Sequence, residues 1–250
     1  MTKCCFVSRR CFHGTAALVT SRAAHPLVDG SRWFGVDVLD PAESVALLTA
    51  VAGERVTEAP DSTARVVEWC GGLPLALRIV GVRLAARPSW SMTRLAGQLA
   101  DERRRLDHLT VDDRSVRAAI GRSYRSCSAR QRRALSMVSH LPLPWFSAWE
   151  VAGLLDEPLD AATEVVEQLV DARLVLVQRP ADLAGSVRYR LHDLVRLFAR
   201  EQPAEAEPRR ATVLRYGAGG AVLPTVVEEA TERRRHPMRV LDVPEPAAGS

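Results

Sequence analysis

Three short stretches carry residues whose types and spacing could do chemistry. In "YRLHDLVRLFAR", residues 189–200, His192 stands beside Asp193 where an alternating pattern gives way to a helical one. A histidine there sits beside the anion-binding amides of a helix start, and an aspartate can cap that helix. The stretch "LVTSR" ends an apolar run on Arg22, whose guanidinium can donate two parallel hydrogen bonds to a phosphate. In "CGGLPLALR", Gly71 or Gly72 can close one helix in the left-handed conformation, and Pro74 can open the next. The turn Gly72-Leu73-Pro74 would also offer a rigid apolar ring to a flat base. Metal chemistry finds little footing. Cys4, Cys5, Cys11 and His13 lack the spacing of a zinc site, and one His-Asp pair is too few ligands for a metal phosphohydrolase.

The elements that position these residues follow from periodicity. Residues 1–14 show none. The apolar runs 15–21 and 33–39 read as strands. Asp40, Pro41 and Glu43 then make a capping-box start for a helix that carries Val45, Leu48 and Val51 and stops at Gly53. Asp61 can cap a second helix running to Cys70, and Pro74 opens a third. Met92, Leu95, Leu99 and Leu106 form one apolar stripe, which reads as a fourth helix with "DERRR" as its solvated face. From about Ser115 a new unit begins with Val116, Ile120 and Tyr124 at helical spacing, and helices follow at about 129–140, 148–155 and 158–171, with the Pro-broken "LPLPWF" between the first two of these. "LVLVQ" and "SVRYRL" read as a hairpin. Three helices and then a hairpin is the order of a winged helix. A last helix begins at His192 or Asp193. Beyond Gln202 come a linker, a helix near 225–234 and a Pro/Ala/Gly tail that is expected to be disordered.

The totals set bounds. A chain of 250 residues with 47% apolar residues can build one or two domains with real cores. The net charge is +4, with both signs spread along the chain. Five cysteines, an odd number with no framework spacing, fit a reducing compartment, so a cytoplasmic location is expected. No apolar run approaches the roughly 20 residues that span a bilayer, and no signal peptide is read.

Taken in order, "LVTSR", "GGLPLALR" and a winged helix ending in "LHDL" resemble the NB-ARC module of STAND-type ATPases. The wording is most like bacterial antibiotic-regulatory (SARP-type) transcription regulators. The resemblance covers about 15–202 and implies a mainly α fold with minor β. Residues 1–39 would be the end of a parallel α/β nucleotide-binding domain and 40–110 a helical ARC1-like subdomain. Residues 111–202 would be a winged-helix ARC2-like subdomain and 203–250 a linker and tail. It implies that Arg22 is a sensor for the terminal phosphate and that Gly72 and Pro74 face adenine. His192 would be the histidine of the family's "MHD" motif, holding the β-phosphate of ADP, with Leu191 in place of the methionine and Asp193 as the aspartate.

One part of the family pattern is missing. Lys3 is the only lysine and Cys-Cys follows it, so the chain contains no GxxxxGK[ST] phosphate loop. The paired acidic residues for Mg²⁺ are also not found. Phosphoryl transfer depends on such groups, so no ATPase activity is expected, and ADP or ATP should bind weakly or not at all. The chain is read as a regulatory nucleotide-switch fragment, acting with the rest of a parent regulator or a protein partner. Two alternatives stand beside it: a DNA-binding winged helix, or a helical protein-interaction module without nucleotide. Against the first, the recognition helix at 158–171 carries Asp160, Glu164, Glu167 and Asp171, which repel a phosphate lattice. Only Arg179, Arg188 and Arg190 of the wing could touch a backbone.

Overall fold

A computed structural model describes residues 3–11, 15–21, 31–178, 187–203, 211–216 and 222–227, with side chains described for 34–178 and 187–203. The chain is mainly helical with small antiparallel sheets. Strands β1 (Lys3–Cys11), β2 (Thr15–Ser21) and β3 (Ser31–Val36) form one sheet in the order β2-β1-β3. Both pairings are antiparallel, so this sheet is not the parallel remnant expected. Only three residues separate β1 from β2, whereas a parallel pair needs a crossover of about a dozen.

The helical part starts as its sequence dictates. Helix α1 (Pro41–Ala52) has Asp40 as N-cap: its carboxylate accepts from the Glu43 amide, while the Glu43 side chain accepts from the Asp40 amide. Gly53 ends it at φ 76°. A single 3₁₀ turn, Glu54–Val56, leads to α2 (Pro60–Cys70). Here the N-cap is Ala59, and Asp61 lies inside the first turn rather than capping. Helix α3 (Pro74–Ala85) opens on Pro74 as expected. The long apolar stripe divides into α4 (Met92–Ala100) and α5 (Glu102–His108), because Asp101 leaves the helix and caps α5 through the Arg103 amide. The break frees a carbonyl at Leu99, and the buried Arg105 donates to it at 2.7 Å.

A small hairpin, β4 (Thr110–Val111) with β5 (Arg114–Ser115), turns through Asp112 at φ 50°. Then come α6 (Val116–Arg125), α7 (Ala129–Ser139), α8 (Ala148–Leu155) and α9 (Leu159–Asp171). Strands β6 (Val175–Gln178) and β7 (Arg188–Leu191) pair antiparallel, with Val175 opposite Leu191. Phe146 adds an isolated antiparallel bridge to Tyr189 of β7. Helices α7, α8 and α9 followed by this sheet have the winged-helix order. Helix α10 (Asp193–Glu201) ends the helical part. Beyond it, β8 (Ala211–Tyr216) and β9 (Val222–Val227) pair antiparallel. Residues 225–227 therefore lie in a strand, not in the helix expected near 225–234. Its remainder lies outside the described residues.

One apolar cluster runs from Leu48 to Ala199 and joins both halves of the helical part. Helix α10 is the seam, since it packs on α2, α5, α6 and α7. It buries Leu194, Val195, Leu197, Phe198 and Ala199. Its guanidiniums hold the Pro-broken loop: Arg196 donates to the carbonyls of Ser139, Leu141 and Leu143 at 3.3, 2.8 and 3.0 Å, and Arg200 to Ser139 at 2.8 Å. A charged donor stabilises such bonds by about 1.5–3 kcal/mol each, less where solvent reaches. Arg196→Met, which keeps the stem and removes the fork, should lower unfolding free energy by about 2 kcal/mol in urea melts, and Arg196→Lys by less.

Candidate functional site

Two glycines in succession form the turn between α2 and α3. Gly71 caps α2 in the left-handed region at φ 59°, and Gly72 follows at φ 66°. Neither position has room for a side chain. A Cβ on Gly72 would lie 2.2 Å from the Leu39 carbonyl oxygen, and one on Gly71 would lie 2.5 Å from His192 Nε2. The turn is thus pressed between two other parts of the chain. The Leu39 amide donates to the Gly72 carbonyl at 2.9 Å, which ties the segment before α1 to the turn. Pro74, at the first position of α3, is exposed.

His192 approaches the same turn from α10. It is the N-cap of that helix: its Nδ1 accepts from the Leu194 amide at 3.2 Å. A nitrogen that accepts carries no proton, so Nε2 carries it and donates to the Gly71 carbonyl at 3.1 Å. Both ring nitrogens are therefore committed to backbone. Asp193 is the first residue of α10 and not its cap, a correction to the role expected of it. Its exposed carboxylate lies 3.9 Å from Arg190. Asp, Ser, Thr and Asn fill the cap position far more often than His, which is why the sequence points to Asp193.

The electrostatics suit a neutral imidazole. Burial lowers the His192 pKa below 6.5, with Arg190 adding to the effect and the Gly71 carbonyl and Asp193 opposing it. Cys70, immediately before the turn, is fully buried, and its thiol is pushed up to about 12 by desolvation against the pull of Arg105. It is no nucleophile at neutral pH. Among the residues marked by sequence, the structure brings Gly72, Pro74, His192 and Asp193 to one corner of the helical part. Arg22 and His13 lie outside the described residues, as do Arg179 and Pro180. The contacts with Leu39 and with the Gly71 carbonyl were not foreseen. The doublet of glycines was the available signal, since two left-handed residues in a row imply something close on both sides.

An adenine nucleotide fits this corner only in part. The Pro74 ring is open to a flat base. His192 has no N–H left for a phosphate oxygen, because its one proton is given to Gly71. Among the described residues no His, Cys, Asp or Glu cluster could hold a metal ion, and no helix is long and apolar enough to cross a membrane.

A helical array joined to a winged-helix-ordered unit, with a histidine clasping a Gly-Gly-x-Pro turn, is the class of arrangement that fold and site define. No family model matches the chain. It is similar to Regulatory protein AfsR of Streptomyces coelicolor, 41% identical over 188 residues, which is 75% of this chain and 18% of that protein. The counterpart from Streptomyces griseus is 42% identical over 188 residues, 75% of this chain and 19% of that protein. Disease resistance RPP8-like protein 3 of Arabidopsis thaliana is 24% identical over 180 residues, 65% of this chain and 20% of that protein. The chain spans about a fifth of the length of the curated relatives it matches.

Two outcomes follow from the clasp. Gly71→Ala should cost about 1–3 kcal/mol, from left-handed strain and the clash with the ring. In a His192→Ala background the clash is gone, so a double-mutant cycle should show coupling of about 1 kcal/mol. Additive losses would mean that ring and turn do not touch. The second outcome is pH dependence. Because folding lowers the His192 pKa, the unfolded chain takes up a proton first as pH falls below about 6.5. The stability owed to the neutral ring is complete above that pH and declines below it. His192→Asn, which can cap but cannot titrate, should flatten the fall in melting temperature between pH 7.5 and 5.5.

Proposed function

We propose that the chain is a regulatory module of the NB-ARC switch type from a bacterial transcription regulator, held in one state by the His192–Gly71 clasp rather than by a bound nucleotide. The observation that carries this reading is the clasp itself. A single side chain from the end of the winged-helix unit closes on the turn that opens α3, so the two parts report on each other. The Streptomyces relatives, named as regulatory proteins, support the regulatory role. The plant relative, named for disease resistance, lends the switch reading a fainter support. The module acts in the cytoplasm with the rest of a parent regulator or with a protein partner. It is no enzyme, for want of a lysine loop. ADP or ATP adds little to it, because the surviving contacts would touch a nucleotide on the Pro74 edge, with Arg22 as a further contact by resemblance alone. Direct DNA reading by α9 is disfavoured by the exposed carboxylates of Asp160, Glu164, Glu167 and Asp171.

Hydrogen exchange on His192→Ala separates a switch from a simple cap. Loss of a cap alone would speed exchange only in the first turn of α10. A released clasp should also raise exchange at Leu39, Leu73 and the start of α3, and that joint response is expected. Exchange confined to 193–196 would sink the switch reading. ADP at 1 mM should leave the melting temperature unchanged. A micromolar site would stabilise by about 4 kcal/mol at that concentration, a shift of several degrees, and would overturn the nucleotide-independent reading.

A further inference from the structure

At the far end of α3 from the glycine turn, three guanidiniums gather round one indole. Arg87, Arg94 and Arg83 lie 4.4, 5.0 and 5.4 Å from the Trp90 ring centre. Cation–π attraction holds each to the ring, yet it also crowds three like charges together. Arg83 registers this: its pKa is lowered, by burial first and then by Arg87. No carboxylate answers them. Among the described residues Arg83, Arg87 and Arg94 form no ion pair, although Glu58 and Asp61 stand at the head of neighbouring α2. The surrounding segment 69–100 contains four arginines and no acidic residue. That difference, four, equals the net charge of the whole chain.

The corner is also rigid. Arg55 donates to the carbonyls of Leu84, Arg87, Pro88 and Trp90 at 2.8, 3.1, 3.3 and 3.2 Å, which fixes the loop from α3 to α4. Ser91 caps α4 through the Arg94 amide. Arg83 donates to the His108 carbonyl and to Gln98. Arg87 and Arg94 are exposed, their heads free to donate outward.

We propose that this α3–α4 corner, Arg83, Arg87 and Arg94 around Trp90, is a docking surface for the phosphodiester backbone of duplex DNA. Guanidinium forks match phosphate oxygens in pairs, and held in place they lose little freedom on binding. The form of the corner selects among polyanions. A single strand is bound by stacking bases on free aromatic faces, and here the indole is already taken by guanidiniums. An acidic protein partner would be expected to bring an apolar anchor into a pocket. The cavity that α3 does line, between Ile79, Val82, Val111 and Asp112, contains none of Arg83, Arg87 and Arg94. What remains is an array of cations for a regular row of phosphates, which positions a duplex without reading its sequence.

The test is fluorescence anisotropy of a labelled 20-base-pair duplex of arbitrary sequence, titrated with the full chain at several salt concentrations. Three phosphate contacts predict a slope of log K on log salt of about −2.7, hence roughly 40-fold weaker binding at 200 mM than at 50 mM. The double variant R87Q/R94Q should bind at least tenfold more weakly at 50 mM, with a slope near −1. R87K/R94K, which keeps the charges, should stay within about threefold of wild type, and R190Q on the wing should match wild type. Far-UV circular dichroism checks that each variant is folded. No binding at 50 μM chain in 50 mM salt would overturn the proposal, as would an R87Q/R94Q variant equal to wild type or loss of binding in R190Q instead. Tighter binding of a single strand of equal charge would reassign the site to unpaired nucleic acid. Equal competition by polyglutamate would reassign it to an acidic protein.

Discussion

A backbone constraint governs the helical part: two consecutive left-handed residues, Gly71 and Gly72, between α2 and α3. The turn they make exposes two carbonyls in different directions. The Gly72 carbonyl takes the Leu39 amide, and the Gly71 carbonyl takes the His192 ring. Elements that are remote in sequence, the lead-in to α1 and the start of α10, therefore meet on two adjacent residues of chain. Any side chain at either glycine would push one of them away. Glycine loses more conformational freedom on folding than other residues, so the doublet is a cost that only these two close approaches offset.

Helix α10 carries the same constraint to α5, α6 and α7. Its start is fixed by His192 on Gly71, its apolar face is buried in the common core, and Arg196 and Arg200 hold the loop after α7. A motion that opened the clasp would have to break a cap and a hydrogen bond, together worth about 2 kcal/mol. That is small beside the apolar face of α10. The clasp is thus a weaker joint than the apolar face of the helix, and one that a modest input could break. A proton is such an input, since an imidazolium cannot accept the Leu194 amide.

Much of this was legible in the sequence where a local rule decided it. The capping box at Asp40, the stop at Gly53, the start at Pro74 and the hairpin of β6 with β7 depend on neighbours a few residues apart, and they stand as expected. Where two local rules compete, the outcome was not legible. The stripe from Met92 to Leu106 fits one helix, but Asp101 makes a better cap than interior residue, and Arg105 satisfies the carbonyl that the break exposes. Pairing partners were the least legible of all. Strand runs at 15–21 and 33–39 say nothing of the patternless β1 that lies between them in the sheet. For the candidate site, composition marked His192, Gly72 and Pro74, while the partner of His192 is a main-chain oxygen of a residue 121 positions away. Backbone oxygens carry no signature in a sequence.

Charge makes the same point on a larger scale. The net +4 is a weak clue as a total, because charges more than about 8 Å apart are screened from one another at physiological salt. Its distribution is informative. Helix α9 shows solvent four carboxylates, Asp160, Glu164, Glu167 and Asp171, while the segment 69–100 that builds the α3–α4 corner carries four arginines and no acid of its own. A duplex brought to α9 would meet repulsion, and one brought to Trp90 would meet attraction. If a chain of this shape touches DNA, electrostatics sends the duplex to the α3–α4 corner and away from α9.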